Sequence, residues 1–152
     1  MRRVCMGGTF DILHIGHKAL LAQASDIGDK VLVGLTTDAR AKKNRDTVHI
    51  NSYDIRKRNL ESLLESLGFL YKFEIVPLND DWGPSVIDED FEAIVVSEET
   101  KSTADKINKI RSKEGKNQLH IVVVPMIQSS DGQFISSSRI RNNEIDSSGN
   151  LT

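Results

Sequence analysis

Two groups of residues in this 152-residue chain have the types and spacing to hold a phosphate. In the first, Gly7-Gly8 ends an apolar stretch, Thr9 and Phe10 follow, and His14 and His17 stand three apart with Gly16 between them. The glycine pair lets the backbone turn sharply and leaves no side chain to block a ligand. A helix starting near Ile15 would point its unpaired N–H groups and positive dipole end at that turn, which is an anion site. Imidazoles three apart in a first helical turn share a face and can donate to phosphate oxygens. The dipole disfavours the imidazolium and a bound polyphosphate favours it, so the sequence leaves their charge open. In the second group, Ser136-Ser137-Ser138 at a helix start offers hydroxyl and backbone donors, and Arg139 and Arg141 add positive charge.

Each group has a plainer reading. Gly-Gly after a strand is commonly a turn and nothing more, and the serines could simply cap a helix ahead of a solvated basic turn. Two histidines could bind a metal, but the other two, His49 and His120, fall on unrelated segments, so no metal site on the protein is expected. Neither the Gly-x-Gly-x-x-Gly dinucleotide fingerprint nor a Gly-x-x-x-x-Gly-Lys-Ser/Thr phosphate loop occurs.

The elements that must position these groups alternate between strand and helix, the pattern of a parallel α/β sheet. Strands are expected over Arg2–Met6 (stopping at Gly7-Gly8), Lys30–Thr36, Phe73–Leu78, Glu92–Ser97 and Leu119–Val124. Helices are expected from Ile15 to Ile27, from a Ser52 cap to Leu67 before Gly68, and from Thr100 to Gly115, with a last one starting near Ser136. Asp38–Val48 is polar and lysine-rich and reads as a short helix and a loop. The result is a Rossmann-like, doubly wound, five-stranded parallel sheet in one domain over residues 1–152.

Composition narrows the function classes. A formal charge of −2 argues against a broad nucleic-acid surface. The single cysteine, Cys5, rules out an intrachain disulfide and reads as a buried thiol. No stretch approaches the ~20 apolar residues of a membrane span and no signal peptide fits, so a cytoplasmic protein is expected.

Gly7 to His17 resembles the Gly-x-Phe-Asp-x-x-His-x-Gly-His signature of the nucleotidyltransferase superfamily. Ile135 to Arg141 resembles its second signature, Ile-Ser-Ser-Thr-x-Ile-Arg. The doubled glycine, Val33–Asp38, Arg56–Leu60, Val95–Thr100, Ile107–Arg111 and Val122–Pro125 resemble phosphopantetheine adenylyltransferases of the short archaeal and eukaryotic type. That resemblance implies ATP and 4′-phosphopantetheine as substrates, with Mg²⁺ bound through the ATP phosphates. It implies that Thr9 positions the attacking phosphate, His17 stabilises the α-phosphoryl group and His14 assists ATP binding. Gly7, Gly8, Phe10 and Gly16 would shape the nucleotide site, and Ser136, Ser137, Ser138 and Arg141 would hold the triphosphate tail. A lysine after the second strand would steady both phosphates; Lys43 fits by spacing, and its neighbour Lys42 stays open.

Arg111 reads as an exposed helix charge, with a phosphate contact as the alternative. Glu98-Glu99-Thr100 could touch adenine or ribose, or cap a helix. Trp82 reads as a partly buried loop aromatic, or as a wall for pantetheine. Glu98-Glu99-Thr100 stands where bacterial relatives have an arginine-containing segment, so the resemblance does not extend to their hexamer or its feedback site, and both a monomer and an oligomer stay open. Glycerol-3-phosphate cytidylyltransferase, FAD synthetase, nicotinamide-mononucleotide adenylyltransferase and a non-catalytic nucleotide-binding regulator remain the alternatives.

Overall fold

A computed structural model describes residues 2–39, 41, 50–79, 90–98 and 100–125. Its strands are β1 (Arg3–Gly8), β2 (Lys30–Thr36), β3 (Phe73–Leu78), β4 (Ala93–Ser97) and β5 (His120–Val124). The helices are α1 (Ile15–Ile27), α2 (Tyr53–Ser66) and α3 (Lys101–Lys113), with a 3₁₀ turn at Leu70–Lys72. The strands form one parallel sheet in the order β3-β2-β1-β4-β5, the Rossmann-like arrangement expected from the alternation of elements.

Each face of the sheet is covered. Val4, Met6, Val31, Val33 and Val95 meet Leu21 and Ala24 of α1 and Leu60 and Leu64 of α2. On the opposite face Cys5, Ile94 and Val96 meet Ala104 and Ile107 of α3. Successive strand residues point to opposite faces, so a strand buried on both must be apolar almost throughout, as β2 is. Cys5 is buried, and its thiol donates to the Ala93 carbonyl at 3.6 Å.

Local chemistry sets the helix ends. The Ser52 hydroxyl accepts from Ile55 N–H at 3.4 Å to start α2. Gly68, with φ +79°, releases the chain just beyond it. The expected boundaries hold to within two residues, with one instructive difference. β1 does not stop at Met6: Gly7 pairs with Gly34 and Gly8 with Leu35, so the glycines continue the strand and the turn comes after them. Residues 38, 39 and 41 are helical; the remainder of the expected helix and loop to Val48 lies outside the described residues, as does the last helix. Among the described residues no helix is long and apolar enough to cross a membrane.

α3 is tied to β5 through one side chain. Asn108 donates from Nδ2 to the Leu119 carbonyl at 2.9 Å and accepts from Leu119 N–H at 2.6 Å, both buried. Asn108→Ala strands a buried donor and a buried acceptor, so it should lower unfolding free energy by about 2–3 kcal/mol. Urea denaturation followed by circular dichroism measures this; an unchanged midpoint contradicts the assigned role.

Candidate active site

The site begins where β1 loses one of its two neighbours. The β1–β2 ladder runs the whole length, from Arg3↔Lys30 to Gly8↔Leu35. The β1–β4 ladder has only Val4↔Ala93 and Cys5↔Ile94. Beyond Cys5 the two strands part, and a cleft of about 130 Å³ opens between Met6–Gly8 on one side and Val95–Ser97 on the other. This is where the strand order reverses, at the carboxyl ends of the strands, which is the usual ligand position in open α/β sheets. Thr9, Phe10, His17 and Thr100 complete its walls.

Two features shape the β1 side. Phe10 has φ +48°, in the left-handed region that non-glycine residues rarely adopt. Its ring lies over Gly8, where a Cβ would sit 2.9 Å from the ring edge. Any side chain at position 8 would therefore have to displace the Phe10 ring. The Thr36 hydroxyl donates to the Gly8 carbonyl at 3.1 Å and holds this end of β1 against β2.

The histidines form a unit more specific than two side chains on one helical face. His14 is not inside α1: its extended backbone (φ −145°) makes it the N-cap. Its Nδ1 accepts from Gly16 N–H at 3.1 Å, while its own N–H donates to His17 Nδ1 at 3.2 Å. The rings stack with centroids 3.9 Å apart and 25° between planes. A ring nitrogen that accepts a backbone N–H carries no proton, so each imidazole holds its single proton on Nε2.

The charge left open by the sequence is settled by burial. Desolvation lowers the His14 pKa from 6.5 to about 4. Desolvation, followed by the charge of His14, lowers that of His17 from 6.5 to about 3. At neutral pH the pair is uncharged and still presents N–H donors.

The structure brings Gly7, Gly8, Thr9, Phe10 and His17 together on the cleft. It stacks His14 behind His17 and uses the Gly16 amide to orient it. Lys42, Lys43, Trp82, Ser136, Ser137, Ser138, Arg139 and Arg141 lie outside the described residues.

The exposed-charge reading of Arg111 is wrong. Arg111 is fully buried, and its Nε donates to the Asn117 carbonyl at 2.7 Å, because it falls on the inner face of α3 beside Ile107. Thr100 is the N-cap residue of α3, but its hydroxyl turns back to accept from Ser97 N–H at 3.1 Å and makes no capping bond. The expected cap thus becomes a local link that closes the turn between β4 and α3 on one side of the cleft. Sequence reasoning also passed over Arg56, noted only as part of a family likeness. Its spacing of four from Leu60, and of eight from Leu64, places it on the buried stripe of α2 and was the available signal.

With this geometry in view, the sequence model of the cytidylyltransferase-like family matches residues 5–143, which spans both the cleft and the serine-rich segment. The chain belongs to the cytidylyltransferase-like family. It is 46% identical to a phosphopantetheine adenylyltransferase of Methanosarcina acetivorans, over 99% of this chain and 96% of that one. It is 42% identical to one of Methanopyrus kandleri, over 95% and 91%. Among solved structures, a protein of unknown function from Archaeoglobus fulgidus superposes with TM-score 0.73 at 35% identity, over 82% of this chain and 89% of that one. A tyrosyl-tRNA synthetase of the same organism superposes at TM-score 0.67 with 14% identity, a likeness of fold alone that covers 91% of this chain and 59% of that one.

The imidazoles also link the site to stability. The folded protein holds them neutral, whereas the unfolded chain binds protons at an ordinary pKa near 6.5. Their contribution is therefore complete above pH 6.5 and declines as pH falls toward about 4 for His14 and about 3 for His17. Between pH 6.5 and about 5 the native protein should lose at least about 1 kcal/mol more stability than its His14→Gln variant. Parallel acid-dependent slopes in urea titrations of the two proteins would refute this.

Proposed function

We propose that the protein transfers the adenylyl group of ATP to 4′-phosphopantetheine, giving dephospho-coenzyme A and pyrophosphate. The observation that carries this reading is the neutral, stacked His14–His17 pair at the N-terminus of α1, beside the β1–β4 cleft. Similarity along nearly the whole chain to archaeal phosphopantetheine adenylyltransferases supports the choice of acceptor.

A phosphate oxygen of the acceptor attacks the α-phosphorus of ATP in line. The new P–O bond forms as the bond to the bridging α–β oxygen breaks, and pyrophosphate leaves. The nucleophile is already an anion, so no general base and no covalent intermediate are needed, and catalysis reduces to positioning and charge stabilisation.

In this reading the Thr9 hydroxyl orients the attacking phosphate at the end of β1. His17 donates from Nε2 to the α-phosphoryl oxygens as charge builds on them, and His14 fixes the ring that does so. Gly7 and Gly8 admit the phosphates close to the backbone, and the first turn of α1 adds its dipole. Ser97 at the end of β4 and Thr100 at the N-cap of α3 line the same cleft, and Thr100 would meet the nucleoside. Lys43 steadies the two reacting phosphates, and Ser136, Ser137, Ser138 and Arg141 hold the β- and γ-phosphates.

Among the described residues no three His, Cys, Asp or Glu side chains gather to hold a metal ion, and the cleft presents N–H and hydroxyl groups suited to a polyanion. Magnesium would be held through the ATP phosphate oxygens and not by these residues, and would offset the charge of the tail.

The assignment is tested by following pyrophosphate with ATP, Mg²⁺ and each acceptor in turn. Release is expected with 4′-phosphopantetheine and not with nicotinamide mononucleotide, FMN or glycerol phosphate; release only from CTP with glycerol phosphate overturns it. His17→Ala should lower kcat by about 10²–10³-fold. Calorimetric ATP affinity should stay within about 3-fold, because the lost interaction belongs to the transition state. Affinity falling in step with kcat contradicts that role.

A further inference from the structure

Arg56 is a fully buried charge that the adenylyl-transfer scheme does not use. It lies on α2 one turn before Leu60, and its guanidinium reaches four acceptors on three segments: the turn after β1, the end of β2 and the residue before the α2 cap. Nε donates to the Asn51 carbonyl at 2.8 Å, and one terminal nitrogen donates to both Thr9 O at 3.0 Å and Thr36 O at 2.7 Å. The other terminal nitrogen donates to Asp38 Oδ1 at 3.1 Å. Asp38 Oδ1 also accepts from Tyr53 N–H at 2.7 Å, and the Tyr53 ring lies 5.9 Å from the guanidinium carbon. Asn51 is bound twice: its N–H donates to Asp11 Oδ1 at 2.9 Å while its carbonyl takes Arg56.

Three of the four acceptors are neutral carbonyls, and the one carboxylate is about half exposed, with 49% of its side chain open to solvent. Burying a permanent charge among such partners is an expensive way to hold a helix, since an apolar side chain of similar size packs the same stripe at lower cost. What the planar fork supplies instead is direction, because its N–H groups fix several acceptors in one frame. One of those acceptors is the carbonyl of the Thr9–Phe10 peptide, immediately before the left-handed Phe10 at φ +48°. The bond to that carbonyl holds the peptide that leads into the left-handed turn, and with it the backbone from which the Thr9 side chain meets the cleft.

We propose that Arg56 is a positioning residue for group transfer: by binding the Thr9 carbonyl it sets the Thr9 hydroxyl against the acceptor phosphate. This inference rests on the adenylyl-transfer reading. It is separable from the role of His17, because it acts on the acceptor side of the cleft.

The test is a double-mutant cycle on single-turnover rates. Lysine can reach one of the acceptors but cannot form the fork, so Arg56→Lys should slow transfer by about 30–100-fold, as a misplacement near 1 Å does. ATP affinity should stay within about 3-fold, since Arg56 does not face the nucleotide. In a Thr9→Ala background the same Arg56→Lys change should cost less than about 3-fold, because the group it positions is already gone. Losses that multiply in the double variant overturn the proposal and leave Arg56 a structural residue.

Should Arg56→Lys fail to fold, Asp38→Asn decides, since it keeps an acceptor for Tyr53 N–H while removing the charge opposite the guanidinium. A loss of about 3–10-fold that vanishes in the Thr9→Ala background supports the role, and no loss, or a multiplying one, overturns it. If the wild-type chain releases no pyrophosphate with 4′-phosphopantetheine, the adenylyl-transfer reading fails. The positioning claim is then read from the Thr9 and Phe10 amide resonances, and their staying unshifted in whichever of Arg56→Lys and Asp38→Asn folds overturns it.

Discussion

The site depends on β1 keeping its partner on one side and losing it on the other. Pairing with β2 continues through Gly8, so the end of β1 stays rigid and extended. Pairing with β4 ends at Cys5↔Ile94, so the adjoining edge is open where the strand order reverses. A sheet that stayed zipped through Gly8 on both sides would have no cleft, and one that frayed on both sides would have no fixed wall. The asymmetry follows from the crossover: β4 is reached only after the chain has built β2 and β3 on the far side, and α1 and α3 pack on opposite faces of the gap.

Within that gap the histidine pair resolves a conflict between donating to phosphate and being buried. A charged imidazole is a stronger donor but is expensive to bury beside another. By using both Nδ1 atoms as acceptors for backbone N–H groups, the helix start fixes the tautomer and leaves the His17 ring on the cleft wall with an uncharged Nε2–H donor. The same bonds satisfy donors that a helix N-terminus otherwise leaves open, so capping and ligand recognition are one structure.

Much of this was legible before any coordinates. The five strands and three helices followed from periodicity and punctuation, because strands covered on both faces are nearly continuous apolar runs and helices repeat at 3.6. Gly68 and Ser52 marked the ends of α2 through backbone freedom and capping. Less legible were Arg111 and Arg56, both charged and both fully buried. A charged residue on an apolar stripe is read as solvated unless its partners are known, and the partners of Arg56 come from positions 9, 36, 38 and 51.

By itself, then, the sequence determined the parallel α/β alternation and the group Gly7, Gly8, Thr9, His14 and His17 at a strand–helix junction, because these depend on residue types and local spacing. Tertiary structure alone decided that the glycines extend the strand, that Phe10 turns left-handed over Gly8, and that the imidazoles are neutral Nε2–H donors. It also decided that a buried guanidinium binds the Thr9 carbonyl. Each of these depends on what a distant segment places against the residue: β2 beside the glycines, the walls around the imidazoles, and α2 beneath the end of β1. Burial and long-range hydrogen bonding are properties of the folded chain, and local spacing does not carry them.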